Sequence, residues 1–289
     1  MRLLPAGPVI LVLLLVMSPI VADTIWIGPV SGGDWFDANN WSAGVPVGPD
    51  GDGLADPGRI NNSTVVIPSS SAPASGLFAD SVEVGAATND DTLQPVNVTG
   101  GLIGTENVDV LVSEFRIGSA RAENGAQTMS DGATFKYVGS KIKSDLVSEP
   151  IGERSSRSYG GNFYVGHAIA NAGVDDLGTS AVAMDAMASV RSQPGGDLEA
   201  IFEDSTMVGF SGGEGAGMAT AAATAEFVAD RDLTMRASLT IGMTNAMWGM
   251  TAESSHASAN IRAGEHLNLR LSSLNQVGNA ISFGVGSVS

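Results

Sequence analysis

Cysteine is absent from the 289 residues. No disulfide can staple the fold and no thiol can act as a nucleophile, so stability must come from burial and backbone pairing. Charged residues make up only 16% of the chain and aromatics 6%, a balance unlike that of charge-rich helical bundles or acidic disordered tails. Basic residues are scarcest of all, with 14 Lys and Arg against 31 Asp and Glu and a net charge of −17. Nucleic-acid binding by counterion release needs clustered cations, and the densest group here is only Lys136, Lys141 and Lys143. His167, His256 and His266 are far apart in sequence, read as surface or turn residues, and show no metal-ligand spacing. There is no G-x-S-x-G elbow and no phosphate-binding glycine loop. The adjacent acids Asp90–Asp91 and Asp175–Asp176 stand among turn residues, so no catalytic residue is assigned. Past the N-terminus no run is apolar for long enough to cross a membrane as a helix.

What is present starts with MRLLPAGPVILVLLLVMSPIVA: one Arg, an apolar run from Val9 to Met17, and small residues up to Ala22. The run is short for a bilayer span, and the pattern predicts a secretory signal peptide over residues 1–22, cleaved after Ala22. Such a leader directs the chain to a secreted or cell-surface location, while the continuous stretch Pro8 to Val21 leaves an uncleaved anchor as the alternative.

Glycine is plentiful, at 37 residues, and it punctuates a recurring unit. The stretch AEFVADRDLTMRASLTIG (225–242) returns as ANIRAGEHLNLRLSSLNQVG (259–278), with Ala225, Phe227, Ala229, Leu233, Met235, Ser238 and Leu239 meeting Ala259, Ile261, Ala263, Leu267, Leu269, Ser272 and Ser273 at one constant offset. An older copy runs from Ala188 to Gly209. Shorter strand-then-glycine echoes are SVEVG, FRIG, FKYVG, FYVG and ISFG. Recurrence of one unit predicts an all-β, stacked architecture in which each unit buries its apolar face only against its neighbours. Coils of roughly 20 residues would give about 11 rungs and, at ~4.8 Å between strands, a stack of about 50 Å. Leu233, Met235, Leu239 and Ile241 are expected to face inward, as are Leu267, Leu269 and Leu271. The Ala- and Met-rich stretch 168–191 allows a helix, yet Val182, Met184, Ala186, Ala188 and Val190 form a strand-like apolar face and favour a strand. The polar and basic stretch 140–162 reads as a loop projecting from the stack.

Between the leader and these units lies TIWIGPVSGGDWFDANNWSAGVP (24–46), with three of the four Trp. Trp26, Gly28, Gly33, Asp34, Trp35, Asn40, Trp41, Gly44 and Pro46 spell W-x-G, G-D-W and N-W-S-x-G-x-P, followed by the short strand STVVI. This segment resembles the N-terminal part of exported bacterial proteins with autotransporter-type β-strand repeats and of PEP-CTERM-sorted, planctomycete-like β-helix proteins. The resemblance implies a right-handed parallel β-helix (a β-solenoid) on a secreted or surface protein and implies no enzymatic activity. It covers the Trp-rich segment well and the remainder only in style. At Ser289 the sequence ends inside what reads as another rung, without the sorting tail or barrel of those families. The organisation expected is a signal peptide (1–22), a Trp-rich N-terminal cap with an acidic loop (23–62), and β-solenoid repeats (63–289), truncated at the C-terminus if the sequence is a fragment. Bulky rings covering the first coil's interior would act as a cap. Exposed rings would instead be a platform for sugars.

In the loop VGPDGDGLADPGRINN (47–62), Asp50, Asp52 and Asp56 surround Gly53 like the middle of a calcium loop, in which alternate carboxylates point at the ion. The first Asp and the closing Glu of that pattern are missing, so a plain Asp/Gly/Pro turn is the other reading. Calcium is the one metal the sequence suggests. The function expected is a non-enzymatic, secreted or cell-surface structural or adhesive element, with polysaccharide or other cell-surface components as partners. The alternative is a carbohydrate-active protein, binding or cleaving polysaccharide on the same scaffold, and it would show a groove lined by acids and aromatics.

Overall fold

The computed structural model describes residues 24–46, 58–68, 77–89, 96–104, 110–144, 161–172, 178–202, 205–247, 251–254, 256–276 and 280–285. Among them the chain is all-β, with no α-helix and one 3-10 turn at Ala38–Asn40. Val, Ile, Phe and Thr alternate with small polar residues, which suits a pleated surface half in the core and half in water. Every strand-to-strand pairing is parallel, in one 11-stranded and one 10-stranded sheet. Parallel neighbours require a crossover, and here the crossover is the other sheet. The strand Ser205–Glu214 lies in the first sheet, Met218–Ala229 in the second, and Asp232–Ile241 in the first again, beside its predecessor. Ladder partners in neighbouring passes lie 24 residues apart at Gly58 and Val82, 33 at Val82 and Phe115, 58 at Ile142 and Ala200, and 34 at Leu233 and Leu267. The passes are therefore longer and fewer than the roughly 20-residue coils expected, because each one bends twice and not once.

The first bend is set by glycine. Gly85, Gly118, Gly166, Gly209 and Gly242 stand in a column, each with φ between +62° and +68°. This left-handed geometry costs an L-residue about 1–2 kcal/mol, and it turns the strand without ending its pairing. Space demands glycine as well. A Cβ on Gly118 would lie 2.5 Å from the Cβ of Ala186 in the opposite sheet, and one on Gly166 would lie 2.5 Å from that of Ala223. At this waist the two sheets touch.

The waist divides the interior in two. On one side lies the main core, where Phe115, Phe135, Phe163, Phe202 and Phe227 stack through successive passes with centroids 4.5–6.3 Å apart. Leu233, Met235, Leu239 and Ile241 are fully buried there, while Leu267, Leu269 and Leu271 pack against it half-buried. The other side is walled by small residues: Ala120, Ala122, Ala168 and Ala170 face Ala181, Ala183, Ala219 and Ala221, with buried Thr128, Ser130 and Ser211 in the same ladders. Methyl groups on both walls let sheets approach more closely than the ~10 Å usual for larger side chains.

The second bend changes the register of 180–191. That stretch is a strand, as expected, but Asp185 takes a positive φ of 51° and the ladder shifts between Ala183 and Ala186. Ala186, Ala188 and Val190 are buried as predicted, whereas before the bulge it is Ala181 and Ala183 that point in. Val182 and Met184 face outward, because one extra residue inverts the two-residue period. Within 140–162, Lys141–Ser144 is a strand that pairs on both sides, and the remainder from 145 to 160 lies outside the described residues.

The Trp segment joins both sheet edges. Thr24 and Ile25 pair with Gly58 and Arg59, and Asp34 bridges to Val66. Trp26, Trp35 and Trp41 are only 0–6% exposed and meet edge to face at 5.2 and 4.7 Å. The Trp41 indole donates to the Trp35 carbonyl at 2.7 Å. Gly28 and Gly33 leave room for the Trp26 ring, and Gly58 for Trp35. A sugar platform needs an exposed ring face, and none of these three indoles offers one.

Candidate functional site: a groove outside the glycine bend

Bending the first sheet at its glycine column makes the outer surface concave. A groove of about 340 Å³ follows that bend across neighbouring passes. Two columns of side chains form its sides. Before the glycine, Arg59, Glu83, Arg116 and Tyr164 are ladder neighbours, one per pass. After it come Ala86, Ser119, His167 and Phe210, with Thr88, Arg121 and Ile169 two positions further on. Alternation points all of these outward, since their neighbours Val84, Ile117, Val165 and Val208 are buried.

The charged column is a chain of ion pairs. Arg59 Nε donates to Glu83 Oε2 at 2.7 Å, and Arg116 Nη1 donates to Glu83 Oε1 at 3.3 Å. Arg116 Nε also meets Glu114, and both carboxylates are more than nine-tenths buried. Burial raises the Glu114 carboxyl above its usual value despite the opposing Arg116 cation. Burial also works against the Arg116 cation, but Glu114 and Glu83 outweigh it and the guanidinium is held charged. At the rim, Arg121 is paired with Glu123 at 2.6 Å.

Beside this column, the His167 ring lies between Tyr164 and Phe210, stacked on each at 4.9 Å. Burial, then the Arg116 and Arg121 cations, pushes its pKa down to about 3. His167 is thus a neutral imidazole in the middle of a strand, not the surface or turn residue expected. His256, exposed at a φ of 55°, and His266, exposed at a strand start, do fit that expectation.

Chemically, the groove offers fixed donors and acceptors. Glu83 is bound by two guanidiniums and Glu114 by one, and His167, with its pKa pushed down to about 3, is a weak proton acceptor. Elsewhere among the described residues, Asp232, Glu265 and His266 bring ligand atoms within 4.8 Å of one another. His266 Nδ1 is 2.8 Å from Asp232 Oδ1, and that hydrogen bond raises the His266 pKa. The group is open to water, and the Arg231 guanidinium already stands 3.6 Å from Glu265. Asp50, Asp52 and Asp56 lie outside the described residues, as do Asp90–Asp91 and Asp175–Asp176.

Motif spacing along the chain does not mark the groove. Its signal was the set of glycine echoes: aligning VEVG, FRIG and FYVG on their glycines places Glu83, Arg116 and Tyr164 in one column and Ser119 and His167 in the next. No family model, curated protein or solved structure matches the chain.

Proposed function

We propose that this chain is a non-enzymatic β-solenoid, a right-handed parallel β-helix closed at its N-terminal end by the Trp-rich cap. It is exported through residues 1–22 to a structural or adhesive role at the cell surface, as in the autotransporter-type and PEP-CTERM-sorted proteins its N-terminal segment resembles. Among the described residues, seven passes through the first sheet follow the Thr24–Ile25 strand, beginning at residues 58, 77, 110, 141, 198, 232 and 266, and make a stack of about 30 Å at ~4.8 Å per pass. The observation that carries the reading is the state of the outward charges. Arg59–Glu83–Arg116, Lys141–Glu199 and Arg191–Glu226 are ion pairs that tie one pass to another, and Glu114 pairs with Arg116 along the same strand. Charges so arranged serve the scaffold. Polysaccharide cleavage would need a carboxyl pair able to exchange protons and a path to the reacting bond.

Two measurements test this. Protease shaving of intact cells should remove the protein, and purified protein should release no reducing ends or unsaturated sugars from neutral or acidic polysaccharides. Turnover that disappears in Glu83→Gln or Glu114→Gln would overturn the non-enzymatic reading, and resistance to shaving alongside intracellular recovery would overturn the surface assignment.

A further inference from the structure

We propose that the groove along the glycine bend binds a neutral, linear glycan lying parallel to the stack, with the ion-paired Arg and Glu side chains meeting its hydroxyls and the Ile169 side chain meeting its C–H faces. The inference rests on the adhesive reading above and gives that role a ligand class.

Three observations converge on it. The first is periodicity. The groove presents one outward side chain per pass in each column, Arg59, Glu83 and Arg116 in sequence, so donor, acceptor and donor recur at the ~4.8 Å strand spacing. An extended chain of pyranose rings repeats at nearly that spacing, and its hydroxyls both donate and accept. A polymer with nearly the repeat of the protein meets a donor, an acceptor and a donor in turn on successive passes.

The second observation is charge. Arg59, Arg116 and Arg121 are balanced by Glu83, Glu114 and Glu123 in ion pairs at the groove, while the chain as a whole carries −17. A polyanion would find no net attraction in the groove and repulsion around it, and a polycation would gain more on the remaining acidic surface. A neutral polar ligand pays neither penalty, and the ion pairs hold the side chains in place before it arrives.

The third is the mixed lining. Half-buried Ile169 shares the groove with the charged groups, beside Ala86, and the His167 ring can present only its edge there, because Tyr164 and Phe210 cover its faces. A sugar ring has the same split, a polar rim and apolar C–H faces, and pockets of this kind use a few fixed polar groups for orientation and apolar surface for affinity.

The test is affinity electrophoresis of the full chain in native gels containing hydroxyethylcellulose, xyloglucan or galactomannan, with alginate as the anionic comparison. At least one neutral polymer should retard the wild type, and about 0.5 M NaCl should leave that retardation intact, since no net charge is screened. Arg121→Ala, at a rim residue 54% exposed, and Ile169→Asn should each weaken it about fivefold or more. Arg191→Ala, on the outer face of the other sheet, should not. Circular dichroism confirms that the variants are folded, and two independent groove variants guard against the loss of one. The inference is overturned by no retardation in all three neutral polymers, by unchanged retardation in the folded groove variants, or by salt-sensitive retardation in alginate alone. A protein found at the cell surface that binds none of these polymers would sink the glycan and leave the surface reading standing. Binding by a protein never found there would do the reverse.

Discussion

Replacing Gly166 with Ala asks whether the two sheets really touch at the waist. The new Cβ would sit in a backbone with φ of +66°, 2.5 Å from the Ala223 Cβ and 3.2 Å from the Ala222 carbonyl oxygen. The left-handed backbone alone costs about 1–2 kcal/mol for a residue with a side chain. Forcing a methyl group into a filled space between two paired sheets costs about 1–3 kcal/mol more, because neither ladder can move without its neighbours. Together they come to about 2–5 kcal/mol, or a fall in Tm of roughly 5–20 °C for a domain of this size. Gly132 supplies the control. Its φ is +67°, but an added Cβ would meet nothing nearer than the Thr99 hydroxyl at 3.9 Å, so Gly132→Ala isolates the backbone cost. Thermal melts followed by circular dichroism should rank Gly166→Ala well below Gly132→Ala, and Ala223→Gly should recover part of the loss in the double variant. Equal melting temperatures for the two single variants would refute the close approach of the sheets, and with it the division of the interior into two cores.

Five further variants have expected outcomes. Leu233→Ala truncates a fully buried side chain and should cost about 2–5 kcal/mol in urea unfolding, with no change meaning that the inward register is wrong. Ala221→Leu should destabilise by at least about 1–3 kcal/mol, because the interior walled by small residues has no room for a larger group; a neutral result would mean that those sheets are not packed. Glu83→Ala leaves Arg59 without its Glu83 partner and Arg116 with only Glu114, and should cost about 2 kcal/mol or more. Glu114→Gln should cost less than Glu83→Ala, since burial already disfavours that carboxylate and Glu83 stays on Arg116. The reverse order would show that Glu114 anchors the network. Finally, His167 is neutral in both folded and unfolded chains above about pH 6.5. Between there and a folded pKa of about 3, only the unfolded chain binds the proton, so stability falls as pH falls. The slope should lie below the full ~1.4 kcal/mol per pH unit, since one edge of the ring reaches solvent. His167→Phe should remove that part of the acid sensitivity, and identical pH profiles for variant and wild type would refute the neutral buried ring.

Much of the strand content was legible because alternation is a local signal. Phe135 and Tyr137 are buried on either side of an exposed Lys136, and Leu233 and Met235 on either side of a half-buried Thr234, as period two requires. Alternation fails as a guide where one residue shifts the phase. Nothing in SAVAMDAMASVR announces that Asp185 adopts a left-handed backbone, so Val182 and Met184 were placed on the wrong side of the sheet. The alignment at constant offset holds through Ala237 opposite Leu271 and then slips, with Ser238 pairing Ser273 and Leu239 pairing Leu274. A bulge costs the ladder one unpaired residue, a term too small to leave a mark in composition.

By itself the sequence determined the class of structure: an all-β chain, no disulfides, Trp side chains set among glycines at one end, and strands that finish in glycine. These follow from properties each residue carries wherever it sits, such as the missing thiol, the branched side chain and the glycine without a Cβ. Only the tertiary structure decided the length of a pass and the existence of the groove. A strand ending in glycine is equally consistent with a turn and with a bend, and what selects the bend is the pairing on both sides of Gly118 and Gly166 together with the methyl groups of Ala186 and Ala223 pressed against them. The column Arg59, Glu83, Arg116 and Tyr164 is likewise invisible along the chain. Its members are tens of residues apart, and they become neighbours because parallel strands in register bring the same position of each pass to one line.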